Sequence, residues 1–225
     1  DLLEIGLPTA TEFLDPITPQ YIGDLISWGA IGARTSESQI HRQLASGLSS
    51  PIGFKNGTDG AIQVAVDAIT SASHSHRFLS VTKMGTSAIV STSGNSDCHV
   101  IHRGGADGPN FSSTHINQTA AVLQSNHIKT GIMVDLSHAN SDKKFKNQVI
   151  AANSVCKQIT QGNKDIVGIM IESNLVEGNQ SLSSLESELN YGQSVTDACL
   201  GWPDTLSLLS KISHSVHARL NQDEI

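Results

Sequence analysis

A chain of 225 residues with 38% hydrophobic and 16% charged residues has the composition of a soluble globular enzyme with a sizeable core. Its formal net charge of −7, with the basic residues spaced rather than clustered, argues against a nucleic-acid surface and fits a small anionic substrate better. No apolar run is long enough to span a bilayer and no signal-peptide pattern stands at the front. Cys98, Cys156 and Cys199 are odd in number and form no CxxC pair, which favours a reducing, cytoplasmic compartment over a disulfide framework.

The chain opens on Asp1 rather than Met, inside what reads as a helix tail, so a piece of a longer protein is expected. TATEFL gives a first strand ending near Glu12. Pro16 blocks its continuation before a helix around Gln20 to Ile26. The second strand runs from Trp28 to Arg34. It leads into SESQIHRQLASGL, where Ser36 and Gln39 form a capping-box pattern and Ile40, Leu44 and Leu48 a helical stripe. PIGFKNG supplies a strand ending at Lys55 and a turn, followed by a helix whose Ile62, Ala65, Val66 and Ile69 face a core. FLSVTK and SAIVST then break the rhythm and read as an antiparallel hairpin over residues 78–92, inserted beside a parallel sheet. The alternation resumes with HVIHRGG, a helix near Ser113 to Asn126, GIMVDLSH, a long helix from Ser141 to about Gln161, and IVGIMIES. A last helix starts at Pro203 and carries Leu206, Leu209, Ile212 and Val216 inward. Strands alternating with helices, without repeats or low-complexity linkers, predict a single α/β domain over residues 1–225 with the strands of a barrel.

In an α/β barrel the carboxyl ends of the strands converge on one pocket, and here those ends carry Arg34, Lys55, Arg103, His138 and Glu172. Two arginines and a lysine suit phosphate or carboxylate, because guanidinium offers planar paired donors and lysine a mobile point charge. His138 and Glu172 offer a nitrogen and an oxygen ligand, and Asp197 in YGQSVTDA a second oxygen, a set suited to a divalent metal of borderline hardness. Such a metal polarises a carbonyl while the cations hold phosphates, which points to carbon–carbon chemistry on phosphorylated substrates. Each residue also has a plainer reading: a strand-end arginine often pairs with the next loop, Lys55 suits a solvated turn although Gly53, Asn56, Gly57 and Gly60 around it point to a close backbone approach, and Asp197 suits a turn cap. Among the other histidines, His74, His76 and His127 read as exposed loop residues, and His41 and His217 as helix surface.

WGAIGARTSESQ, GLSSPIGFKNGTDG, FLSVTKMGTSAIVSTSGN, HRGGADGPN, MVDLSHANSDKK, IMIESNLVEGNQSL and YGQSVTDACLGW, in this order across nearly the whole chain, resemble the type I 3-deoxy-7-phosphoheptulonate (DAHP) synthases. The resemblance implies a (β/α)8 TIM-type barrel, with six of its eight strands visible. It also implies condensation of phosphoenolpyruvate with erythrose 4-phosphate to 3-deoxy-D-arabino-heptulosonate 7-phosphate and phosphate, the first shikimate step toward aromatic amino acids. Matched motif by motif, Gly32, Ala33, Arg34, Lys55 and Arg103 bind phosphoenolpyruvate. His138, Glu172 and Asp197 hold a divalent metal of the Mn, Fe, Co or Zn class, and His138 and Lys55 rank as catalytic, with Glu12 a further candidate for steering water. An aromatic amino acid is expected as feedback inhibitor at Pro19, Gln20, Leu48, Ser49, Phe78, Ser80 and Val90. The family's cysteine ligand, in a GPCS-like motif, and its KPRT-like loop have no match here, so the chain reads as the carboxyl-terminal two-thirds of an enzyme that forms a homo-oligomer when complete. No nucleic acid or membrane partner is expected. The alternatives are a Schiff-base phosphosugar aldolase using Lys55, separable by borohydride trapping against chelator sensitivity, and a non-catalytic regulatory subunit.

Overall fold

The computed structural model describes residues 1–182 and 188–223. The chain divides into two compact units, Asp1–His102 with Thr119–Ile132, and Arg103–Gln118 with Met133–Ile225.

The first unit is built on β1 (Ala10–Glu12), β2 (Trp28–Ile31), β3 (Ile52–Lys55) and β6 (Cys98–His102), each parallel to its neighbour in that order. Every residue of β3 and β6 is buried, as an apolar run covered on both faces should be. Ile31, Ile52, Phe54, Val100 and Ile101 form the core of this unit with no exposed surface. Gly53 is required on β3, because a Cβ there would meet Ile101 at 2.5 Å and the Trp28 ring at 2.8 Å. The space it leaves lets Trp28 on β2 reach His99 on β6, with the indole Nε1 donating to His99 Nε2 at 3.1 Å. Burial holds the His99 imidazole below its ordinary pKa, opposed in part by a hydrogen bond to the Asp97 backbone. Helix α3 (Gln63–Ala72) buries Ala65, Val66, Ala68, Ile69 and Ala72, the expected stripe with Ile62 only partly covered.

Four expectations in this unit are corrected. Strand β2 ends at Ile31, so Arg34 lies in the following turn. Ser36 caps no helix: α2 (Gln39–Ala45) starts after Ser38, and the buried Ser36 hydroxyl lies 2.7 Å from the Lys55 carbonyl and 3.1 Å from that of Gly32. It joins two strand ends instead, a tertiary use that outweighs the local capping pattern. His41 is buried with Leu44 and Ala45, bonded to Ser38 and the Leu14 carbonyl, while Ile40 is exposed. The helix after Pro16 spans only Pro19–Ile22 (α1), followed by a 3-10 turn.

The expected hairpin is present as a separate two-stranded antiparallel sheet, β4 (Arg77–Val81) and β5 (Ser87–Ser91), with Phe78 opposite Val90 and Leu79 opposite Ile89. Its faces differ: Leu79 and Ile89 are 79% and 74% exposed, whereas Phe78, Ser80 and Val90 are partly covered. Asn95, just past β5, is buried and aims its amide at the carbonyls of Ala45, Leu48 and Ser50 at 3.2, 3.1 and 3.0 Å. That one side chain ties the base of the hairpin to the loop entering β3.

The second unit contains β8 (Ile166–Met170), most of β7 (Ile132–Asp135), α5 (Gln148–Thr160) and α6 (Trp202–Asp223). Helix α4 (Ser113–Ser125) lies where expected. Within this unit β7 neighbours β8 in a sheet. The long helix begins at Gln148 rather than Ser141, because residues 138–141 and 145–147 form 3-10 turns. Asn140 donates to the Asp135 carbonyl at 2.7 Å and Asn147 to the Ser141 carbonyl at 3.0 Å, bonds that compete with helical pairing. On α6 the buried positions are Thr205, Leu208 and Ser215, while Leu206 and Leu209 are 50% and 45% exposed. Thr205 sets that rotation through hydroxyl contacts with Ser173 and the Gly201 carbonyl. No helix among the described residues is long and apolar enough to cross a membrane.

Candidate metal and anion site

In the second unit His138 Nε2 lies 3.5 Å from Glu172 Oε1 and 3.9 Å from Asp197 Oδ2, and one ligand atom from each residue lies within 4.8 Å of the others. Two carboxylates converging on one imidazole nitrogen repel each other unless a cation lies between them, which is the electrostatic case for a divalent ion here. The opposite imidazole nitrogen, Nδ1, stands 2.7 Å from Oδ2 of the buried Asp135. A proton held there leaves the Nε2 lone pair for the cluster, the arrangement by which a carboxylate orients a ligating histidine. Glu172 Oε2 accepts from the Ser137 hydroxyl at 2.6 Å. The three residues therefore fit a metal, with Glu172 and His138 half-buried and Asp197 exposed.

Glu172 is held as firmly through its backbone as through its side chain. It lies two residues past β8, where Gln148 Oε1 accepts from its N–H at 2.9 Å and Gln148 Nε2 donates to its carbonyl at 3.0 Å. Gln148 is fully buried at the start of α5. Arg103, immediately after β6, is held by its carbonyl, which accepts from Ala139 N at 3.1 Å and Asn140 N at 3.3 Å. Such close approach needs Gly104: its φ is +74°, and a Cβ would come within 2.8 Å of Ala139. A relay of asparagines completes the join, with Gly104 N donating to Asn110 Oδ1 and Asn110 N to Asn140 Oδ1, both at 2.8 Å. The HRGGADGPN and SHANS stretches are thus two halves of one backbone lock. Together they frame a cavity of about 110 Å³ lined by Arg103, Ser137, His138, Lys143, Glu172, Asp197 and Ala198.

Within the first unit, Lys55 is 5% exposed and its Nζ lies 3.7 Å from Glu12 Oε2. Glu12 in turn lies over Gly32, where a Cβ would stand 2.5 Å from Oε1. Glu12, Gly32, Ser36 and Lys55 therefore form one cluster, with Ala33 half-buried beside it and Arg34 exposed in the turn. The same unit holds a cleft of about 310 Å³ whose lining includes all seven residues expected to meet an aromatic amino acid: Pro19, Gln20, Leu48, Ser49, Phe78, Ser80 and Val90. Cys98 and Cys156 are buried, and burial pushes the Cys98 thiol up to about 12.

Sequence reasoning missed Asp135, Ser137, Gln148 and Lys143. Asp135 carried a signal, since it stands three residues before His138 at the end of a strand. Gln148 carried none, because its reach to Glu172 depends on the packing of α5.

The DAHP synthetase I family profile matches residues 3–210. The Phe-sensitive phospho-2-dehydro-3-deoxyheptonate aldolase of Escherichia coli (strain K12) is 59% identical over 219 residues, covering 97% of this chain and 62% of that protein. The Tyr-sensitive enzyme of the same strain is 50% identical over 220 residues, covering 98% and 62%. Among solved structures, phospho-2-dehydro-3-deoxyheptonate aldolase from Francisella tularensis SCHU S4 is similar with a TM-score of 0.94 at 54% identity, covering 97% of this chain and 63% of that one. The chain therefore spans less than two thirds of the length of these relatives. A family profile matching almost end to end, and relatives sharing half or more of their residues with it, establish that the chain belongs to the DAHP synthetase I family.

Proposed function

We propose that the protein condenses phosphoenolpyruvate with erythrose 4-phosphate, giving 3-deoxy-D-arabino-heptulosonate 7-phosphate and phosphate. The observation that carries the reading is the His138, Glu172 and Asp197 cluster beside Arg103 in a chain of this family. The finer fold reading is a TIM-type barrel to which the six strands contribute.

His138 through Nε2, Glu172 and Asp197 would hold a divalent ion of the Mn, Fe, Co or Zn class, which when bound supplies Lewis acidity toward the aldehyde carbonyl. Asp135 fixes the His138 ring and Ser137 fixes Glu172, so the ligand atoms need little reorganisation. Arg103 takes an anionic oxygen of phosphoenolpyruvate, and Lys55 with Arg34 carries the same assignment in the first unit. Gly32 and Ala33 present backbone beside them, and Glu12 balances Lys55 and steers the water that adds to the former enol carbon before phosphate leaves. A Schiff-base route is less favoured, because Lys55 Nζ is engaged in an ion pair with Glu12. The cleft lined by Leu48, Ser49, Phe78 and Val90 is assigned to an aromatic amino acid inhibitor: apolar side chains meet the ring and hydroxyls its polar end. The names of the Phe- and Tyr-sensitive relatives agree with this.

The test is phosphate release from phosphoenolpyruvate in the presence and absence of erythrose 4-phosphate, with and without a chelator, on the full-length polypeptide. Release that requires the aldose and disappears on chelation is expected. Activity indifferent to chelator, with substrate trapped on Lys55 by borohydride, would replace this reading with the Schiff-base one.

A further inference from the structure

The loop after β7 holds three of the four non-glycine residues with positive φ among the described residues: His138 at 52°, Asp142 at 55° and Lys143 at 55°. A side chain in this left-handed region brings its Cβ against the backbone, so consecutive instances persist only where the surroundings impose them. Here the backbone bonds do so. Lys143 N donates to the His138 carbonyl at 2.9 Å and Lys144 N to the Ser141 carbonyl at 3.0 Å.

The turn separates two neighbouring lysines. Lys144 Nζ pairs with Asp142 at 3.0 Å on the exposed surface. Lys143 is also exposed, but it stands at the rim of the cavity lined by His138, Glu172, Asp197 and Arg103. A divalent ion would satisfy the two carboxylates of that cavity, which leaves its lysine for an anion brought in by substrate.

We propose that Lys143 is a positioning residue whose ammonium takes a phosphate or carboxylate oxygen of a substrate seated beside His138. The inference rests on the condensation reading above and adds a residue that reading does not use. A lysine suits the place because its single charge on a flexible stem can follow an anion as the substrate carbon skeleton rearranges, where a planar guanidinium would hold one geometry.

The experiment compares wild type with Lys143→Met, Lys143→Arg and Lys144→Met in the full-length polypeptide. It uses steady-state phosphate release with each substrate varied, together with calorimetric titration of phosphoenolpyruvate in the absence of the aldose. Loss of one charge-assisted contact is expected to raise the KM of one substrate roughly tenfold or more in Lys143→Met, with a much smaller change in kcat. Lys143→Arg should recover most of that loss, and Lys144→Met should behave as wild type. A raised KM and weakened calorimetric binding for phosphoenolpyruvate assign the contact to its anionic groups, whereas a raised KM for erythrose 4-phosphate alone assigns it to the aldose phosphate. Lys143→Gln carries the same expectation if the methionine variant folds poorly. The proposal is overturned if both KM values stay within about twofold of wild type, if kcat alone falls, or if Lys144→Met loses as much as Lys143→Met. A wild type without condensation activity would overturn the underlying reading, an outcome distinct from any of these.

Discussion

The cavity around His138 is walled by charge and by backbone in unfavoured conformations, whereas the cleft beside the β4–β5 hairpin mixes proline, leucine, phenylalanine and valine with hydroxyls and the oppositely charged Asp24 and Lys83. The first has Asp135, Ser137, Asn140 and Gln148 each assigned to hold one neighbour. The second is supported chiefly by Asn95, with a hydroxyl contact between Ser46 and Thr92 at 2.7 Å. The difference teaches that a chamber assigned to a divalent ion of borderline hardness needs its donor atoms closely fixed, while one assigned to an aromatic side chain needs volume and a few donors. Substitutions should therefore act differently in the two places.

The largest effect is expected from removing a ligand. His138→Ala in the full-length protein should lower activity by more than about 100-fold and reduce bound metal, while Asp135→Asn, which leaves the ligands in place, should cost roughly 10–100-fold in metal affinity. Metal content after dialysis and phosphate release check both. Undiminished metal in His138→Ala would break the comparison at its charged end. Inhibition by phenylalanine or tyrosine, measured where activity remains, should be unaltered in Asp135→Asn.

A smaller and opposite effect is expected in the cleft. Ser49→Phe fills space and should raise the concentration of phenylalanine or tyrosine needed for half inhibition by about tenfold or more, the equivalent of a modest overpacking cost, with kcat kept. Inhibition curves for both amino acids on wild type and variant decide it. If neither curve moves, the inhibitor binds elsewhere and the contrast between the chambers loses its functional meaning.

The smallest effect concerns the stability of the first unit and touches neither chamber. His99 is neutral in the fold, with its pKa held below the ordinary value of 6.5 by burial, and its Nε2 accepts from Trp28. The unfolded chain therefore binds a proton more readily than the folded one. The stabilisation is fully present above that ordinary value and is lost as pH falls from it through the lower folded value. The urea midpoint should fall further between about pH 7.5 and about pH 5 for wild type than for His99→Phe. Equal pH sensitivity in the two proteins would remove His99 as the cause.

Much of this was legible in the sequence, and unevenly so. Periodicity located the sheet strands because buried parallel strands read as continuous apolar runs, and the hairpin because it interrupts the strand–helix rhythm. His138, Glu172 and Asp197 were legible as a candidate set because strand ends and the following loop carry one nitrogen and two oxygen donors, although Asp197 alone also suits a turn cap. The turns between His138 and Gln148 were not, since the 141–147 stretch looks helical until Asn147 takes the Ser141 carbonyl and Asn140 ties the turn before it back to Asp135. Ser36 followed a local capping pattern and serves a distant strand end instead. The rotation of α6 escaped for a related reason, because Thr205 is placed by Ser173 rather than by the apolar stripe.

The paired bonds between the Gln148 amide and the Glu172 backbone have a kinetic side. The Glu172 N–H can exchange with solvent hydrogen when that amide lets go, so its exchange rate reports how tightly the start of α5 is held to the segment after β8. The carboxylate assigned to the metal is thus tied through its backbone to a helix end, and helix ends can open well below the temperature of global unfolding. Warming should loosen ion retention through this helix end while Asp135 still holds the His138 ring, and a slow leak of metal would precede any loss of helical signal.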